Sequence, residues 1–214
     1  MSGQISISFA TGETLPEWLG SETEPLIVMP FIDSEKAWKT AQQLGQRAGA
    51  DARLLCVQDI RRRGFIATAN TVFRRSAAPH FAYLAQDAFG GRNWLKHGLD
   101  TLVEKQGGLL AFNDGKWGGA LAAFGLVERQ WALGNYGGAL FCPEYKRHYA
   151  DVELTLIAMQ QRQLRFEPIS LVVELDWQKE DRSVDEEDRQ TYYRRSQNAF
   201  DRKVTNAGLR RLFK

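Results

Sequence analysis

Four short apolar runs, separated by stretches of helix length, constrain this chain more than anything else in it. They are Leu26–Phe31 (LIVMPF), Arg53–Val57 (RLLCV), Phe81–Ala85 (FAYLA) and Leu109–Phe112 (LLAF). A strand with one wet face alternates apolar and polar residues. A run apolar at nearly every position needs cover on both faces, as in a parallel strand between two layers of helices. The stretches between the runs carry helix signals. Asp33 and Ser34 offer N-caps to Ser34–Ala48, while Phe65–Ser76 and Trp94–Glu104 have helical composition. This alternation predicts an α/β fold with a mixed, mainly parallel sheet flanked by helices.

Past the turn Asn113-Asp114-Gly115 the character changes. Lys116–Ala139 is rich in Gly, Ala and Trp and has no clear period, which suits short antiparallel strands and loops near a site. Asp151–Gln163 reads as a helix, Ile169–Leu175 as a strand, and Asp185–Ser196 as a charged helix. Met1–Pro25 is polar and turn-rich, an arm or a loosely attached strand. The expected organisation is an N-terminal arm (1–25), a central α/β domain (26–177) and a charged helical C-terminal extension (178–214).

Composition narrows the function classes. With 214 residues and a net charge of +2, the chain has no global basic footprint for nucleic acid. Its apolar runs are too short to span a bilayer, and the N-terminus lacks the basic and apolar regions of a signal peptide. A cytoplasmic location is expected. Cys56 and Cys142 lack metal-type spacing; Cys56, in an apolar run, reads as a small core residue, and a disulfide is not expected. The tail Gly208–Lys214 mixes basic and apolar residues. It reads as a helix end, with a weak peripheral contact to an anionic membrane surface as the alternative.

Chemistry concentrates in acids at strand ends. The segment Pro79–Trp94 (PHFAYLAQDAFGGRNW) runs from an apolar strand to Asp87 and then to Gly90 and Gly91. Asp59 follows the second run in the same way. Ligands of open α/β sheets bind outside the carboxyl ends of the strands, so these two acids are placed to share one crevice. There they can hold a divalent cation and, through it, a diphosphate. Against this, an Asp after a strand commonly closes a turn or caps a helix. Asp151 has the same two readings, a first-turn or capping acid stabilised by the helix dipole or a general base. Arg61-Arg62-Arg63 is either a solvated turn or a clamp for an anion. His80, His97 and His148 are scattered, and no P-loop, GxGxxG, HExxH or GxSxG motif is present.

The order of these segments resembles the GT-A fold glycosyltransferases, close to the large inverting family 2. LIVMPFIDSE matches the first strand and its polar-capped turn, with Pro30 at the strand end. LLCVQD matches a second strand ending in the base-contacting acid, here Asp59. GFIATAN, with Gly64, Ala69 and Asn70, matches the following helix start. YLAQD matches the strand with a DxD-type acid pair, and ADVELTL, with Asp151 and Glu153, matches the helix start bearing the base. The match covers roughly Leu26 to Leu175. It departs from the pattern at Gln86, where the first acid of the pair is expected, and at Ala150, just before the base. Where such enzymes often place a further His ligand, Leu175 stands between Glu174 and Asp176.

The resemblance implies a GT-A-like (Rossmann-like) transferase. It would move a sugar from a nucleotide-diphosphate sugar to an acceptor hydroxyl with inversion. Asp151 would be the general base, Pro30, Asp59, Arg63, Asn70, Gln86 and Asp87 would contact the donor, and Asp87 would hold Mn2+ or Mg2+. Trp117, Trp131 and Tyr136 would either stack on sugars or pack in the core. The acceptor is left open: a glycan, a lipid-linked intermediate, a protein or a modified nucleic-acid base. Two alternatives stand beside this reading. The first is a non-catalytic GT-A-like protein that binds a sugar nucleotide or glycan, which Gln86 favours. The second is a sugar-phosphate nucleotidyltransferase, which ranks lower because MPFIDSEKAW has no Gly-rich basic run.

Overall fold

A computed structural model describes residues 3–20, 23–175 and 185–213. Eight strands form one curled sheet: β1 (Ile5–Thr11), β2 (Leu26–Phe31), β3 (Ala52–Gln58), β4 (His80–Tyr83), β5 (Ala88–Gly90), β6 (Leu109–Asn113), β7 (Gly125–Glu128) and β8 (Leu164–Glu174). Their spatial order is β1-β3-β2-β4-β7-β6-β8-β5. The first four in that order are mutually parallel. β7 runs antiparallel to both β4 and β6, β6 pairs parallel with β8, and β5 closes antiparallel on β8. The helices are α1 (Ser34–Arg47), α2 (Phe65–Arg74), α3 (Trp94–Glu104), the short α4 (Arg129–Leu133), α5 (Ala150–Gln160) and α6 (Glu186–Gln197).

The expected double cover of the apolar runs is present, and β2 shows how. All six of its residues are buried. Leu26 and Val28 enter a core shared with Ile66 and Phe73 of α2 and Leu154 and Ile157 of α5. Ile27, Met29 and Phe31 point the other way, against Ala37, Ala41 and Leu44 of α1 and Trp94 and Leu95 of α3. A proline inside so central a strand needs a reason, because it removes a ladder donor. The Phe31 carbonyl is directed to β3, where it accepts the Asp59 N–H. The neighbouring Pro30 therefore faces the β4 side, and there the ladder has already stopped at Val28–Tyr83. Its missing N–H costs no strand bond.

The structure refines the sequence reading in three places. Part of the segment read as an arm is a true edge strand, with β1 paired to β3 along its full length. The middle segment Lys116–Ala139 contributes β7, wedged antiparallel between β4 and β6. β8 begins at Leu164, ahead of the expected start at Ile169, and its register against β6 shifts between Ala111 and Asn113. Residues 178–184 of the expected extension, and Asp176 beside Leu175, lie outside the described residues. From Asp185 on, the expected helix is present as α6, with Asp185 as its N-cap.

Candidate functional site

At the carboxyl ends of β2 and β3 the connecting turns are pinned by polar side chains, one of them from the loop after β4. After β2, Asp33 caps α1 by accepting the Lys36 N–H at 3.0 Å. The same turn is held from β4's loop, where Gln86 Oε1 accepts the N–H groups of Ile32 at 2.8 Å and Asp33 at 3.0 Å. After β3, the Asp59 carboxylate accepts the Arg63 N–H at 2.8 Å with one oxygen and the Gly64 N–H at 2.7 Å with the other. That turn requires glycine at its end. Gly64 has φ 98°, and a Cβ there would lie 2.4 Å from the Lys146 carbonyl oxygen. Asp59 thus fulfils the turn-closing role that an acid after a strand commonly has.

Beside Asp59 lies a cavity of about 180 Å³, lined among others by Gln58, Arg61, Arg63, Thr68 and Thr71. Leu15, from the segment read as an arm, contributes to its wall. Arg61 is tied to Glu13 at 2.7 Å, while Arg63 is exposed. Asn70 has another task. It is buried, donates to the Phe141 carbonyl at 3.0 Å and accepts the Phe141 N–H at 2.9 Å. This reciprocal pair fastens the glycine-rich loop before α5 to α2.

Asp87 follows β4 and is 8% exposed. Its carbonyl accepts the Leu175 N–H at 2.9 Å, which ties the β4–β5 connection to the end of β8. Gln86 is committed to the β2–α1 turn, so Asp87 supplies the only carboxylate of the QD pair. Among the described residues no group of three or more His, Cys, Asp or Glu gathers to hold a metal. A single carboxylate fits a Mg2+ or Mn2+ ion that is bound mainly through a ligand's phosphate oxygens and water rather than in an all-protein cage.

Asp151 lies in the first turn of α5, whose N-cap, Tyr149, is left-handed (φ 64°) and makes no side-chain cap. The helix start is docked at the end of β4. Thr155 Oγ1 donates to the Asp151 carbonyl at 2.7 Å and accepts the Ala122 N–H at 3.1 Å, and the Ala122 carbonyl accepts the Tyr83 hydroxyl at 2.7 Å. Removal from water pushes the Asp151 carboxyl up to about 6, against the pull of its own amide and that of Val152. The same carboxylate helps hold the Tyr83 phenol well above its ordinary range, though burial is the larger cause. Two residues on, Glu153 is fully buried. It accepts hydrogen bonds from Tyr136 at 2.9 Å, Tyr145 at 2.8 Å and two nitrogens of Arg195, both at 2.8 Å. Tyr136, one of the aromatics considered for sugar stacking, is thereby engaged with a carboxylate. Trp131 donates its indole N–H to Gln161 at 2.6 Å. Trp117 packs edge-on against Phe213 of the C-terminal segment. The two thiols are poor nucleophiles: burial raises Cys56 to about 12 and Cys142 to about 11.

Sequence reasoning singled out the acids but not the residues packed around the start of α5. Tyr83, Thr155, Asp188 and Arg195 gave no local signal, because each acts on a group 33 to 42 residues away.

This mixed, mainly parallel sheet flanked by helices is a GT-A-like (Rossmann-like) fold. Specifically, the chain is similar to the solved structure of the mannosyltransferase PcManGT from Pyrobaculum calidifontis in complex with GDP-Man and Mn2+. The TM-score is 0.57 at 14% sequence identity, and the match covers 88% of this chain and 68% of that one. No protein-family model and no curated protein sequence matches the chain. No helix among the described residues is long and apolar enough to cross a membrane.

Proposed function

We propose that this protein is a glycosyltransferase that moves a sugar from a nucleotide-diphosphate sugar to an acceptor hydroxyl, with inversion at the anomeric carbon. The observation that carries the reading is Asp151, a half-buried carboxyl raised to about 6, at a helix start docked on the end of a parallel strand. A base poised near neutral pH can hold a hydroxyl proton as attack proceeds and still be ionised beforehand. The similar solved structure holds GDP-Man and Mn2+, which supports a nucleotide-sugar donor and a divalent cation here.

The steps follow from that placement. The donor base and ribose enter the cavity beside Asp59 and Thr68, and Arg63 meets the diphosphate. Pro30 ends β2 beside the donor, the Gln86 side chain holds the β2–α1 turn under it, and Asn70 fixes the loop that faces it. Asp151 accepts the acceptor's proton as its oxygen bonds to the anomeric carbon. The bond from that carbon to the diphosphate oxygen breaks on the opposite face, so the configuration inverts. Asp87 would hold a divalent cation, which when bound offsets the charge growing on the leaving diphosphate.

The test is a thermal-shift screen of GDP-, UDP-, CMP- and dTDP-sugars with and without Mn2+, followed by hydrolysis of any sugar that binds. A ligand specific to the native state raises the midpoint by mass action. A metal-dependent shift with one nucleotide, lost in Asp87→Ala, together with slow hydrolysis of the sugar nucleotide, is the expected result. Binding without hydrolysis or transfer would move the protein to the non-catalytic reading. No shift with any donor would leave a likeness of fold alone.

A further inference from the structure

One face of α6 touches the base-bearing end of α5 at three successive places. The Asp188 carboxylate accepts the backbone N–H groups of Lys146, Arg147 and His148, each at 2.8 Å. The Tyr192 ring stacks on Tyr149, with centroids 4.8 Å apart and planes 25° from parallel. Arg195 binds both oxygens of Glu153. Residues 188, 192 and 195 have the spacing of a single helix face. Their targets, residues 146–148, 149 and 153, lie on both sides of Asp151 along the chain.

This grip differs from ordinary surface pairing. Asp188 is 1% exposed, Arg195 5% and Glu153 not at all. Removing such charges from water offsets most of their attraction, so a buried ion pair is a weak source of net stability and a strong specifier of geometry. What needs specifying is visible in the backbone. Tyr149 holds a left-handed conformation without being glycine, which persists only where the surroundings over-determine it. The three amides held by Asp188 immediately precede it, and its own ring is covered by Tyr192.

We propose that α6 is a positioning element for Asp151, with Asp188, Tyr192 and Arg195 as positioning residues that set the entry and the first turn of α5. The inference rests on Asp151 being the base. Effective proton transfer needs the carboxyl within hydrogen-bond reach of the acceptor hydroxyl, and a misplacement of about 1 Å costs on the order of 100-fold. The side chains assigned to the donor, Asp59, Arg63, Thr68 and Asp87, lie after β3, on α2 and after β4, and among the described residues only the Lys146 carbonyl, which accepts the Ile66 N–H at 3.3 Å, links the held segment to them; loosening α6 therefore slows turnover far more than it weakens donor binding.

The experiment uses the full chain carrying Asp188→Asn, Asp151→Asn and both together. For each, turnover, donor KM, the donor-induced midpoint shift and amide hydrogen exchange over 146–153 are measured. Asp188→Asn is expected to keep donor KM within about threefold while turnover falls at least tenfold and the amides of 146–148 exchange faster. The double variant is expected to be no slower than Asp151→Asn alone, because the two act through one group. Should Asp188→Asn not fold, Tyr192→Leu, which strands no buried charge, is held to the same result. Wild-type turnover in a variant whose 146–148 amides have loosened overturns the positioning role, as does a double variant slowed by the product of the two single effects. If Asp151→Asn itself keeps full transfer, the base reading fails first and takes this inference with it.

Discussion

The two sides of the proposed site are held in place by different means. On the donor side, acids and amides grip backbone close by in sequence or on the adjacent loop: Asp33 to Lys36, Asp59 to Arg63 and Gly64, Gln86 to Ile32 and Asp33. On the base side, charged side chains from the far C-terminal segment hold the helix start through Asp188 and Arg195, each bonded to a group 40 to 42 residues away. A turn closed by its own carboxylate survives the loss of one bond. A buried charge network does not, because each member that is removed leaves a partner stranded. Substitutions on the base side should therefore spread, while those on the donor side should stay local.

The sharpest trial of that contrast is Glu153→Leu. It strips two bonds from Arg195 and the acceptor from two tyrosine hydroxyls. Arg195 retains Glu144 and Asp201, so the expected loss is about 3 kcal/mol, at the low end for breaking a buried pair. Chemical denaturation checks it. An effect below about 1 kcal/mol would mean that the base side is as tolerant as the donor side.

Asp151→Asn comes next, and here activity and stability move in opposite directions. Loss of a general base lowers transfer by roughly 100- to 10,000-fold. The carboxyl is raised in the folded protein, so its contribution to stability is full below the ordinary carboxylate range and is lost as pH rises through about 6. Replacing it should raise stability at pH 7.5 by up to about 2 kcal/mol, discounted for partial exposure, and change little at pH 4. Unfolding measured at both pH values, beside transfer assays, tests both halves. In the wild type the same group predicts that kcat/KM rises tenfold per pH unit below about 6 and levels above it. A flat profile between pH 5 and 7 would remove Asp151 from the proton's path.

The same contrast explains how much was legible. The apolar runs announced β2, β3, β4 and β6, because a strand covered on both faces leaves no room for polar residues. Asp59, Asp87 and Asp151 stood out because strand ends and helix starts are marked locally. The base-side grip was illegible: seven of the thirteen residues in DEEDRQTYYRRSQ are charged, and nothing in the string separates Asp188 and Arg195, which are buried, from Glu187 and Arg194, which are not. Burial there is decided by which face meets α5, and a helix with so little apolar content carries no stripe to reveal that face. For β7, short antiparallel strands were expected within Lys116–Ala139, but which four residues form one is recognisable only once β4 and β6 are in place.

The smallest expected effect bears on the donor side itself. Asp59→Asn keeps one acceptor oxygen for the turn and points an amide at the other N–H, so one of two backbone bonds is lost, at about 1 kcal/mol. Only the short segment 59–64 should notice. If Asp59 also contacts the donor, the donor-induced midpoint shift shrinks by more than the fall in the ligand-free midpoint accounts for. Thr68→Ala, in the same cavity, removes a hydroxyl that donates to the Gly64 carbonyl and leaves the Asp59 bonds intact. A donor shift weakened by Asp59→Asn and retained in Thr68→Ala assigns the contact to the carboxylate. Equal weakening in both assigns the effect to the shape of the turn, and an unchanged shift in both leaves Asp59 with the turn alone.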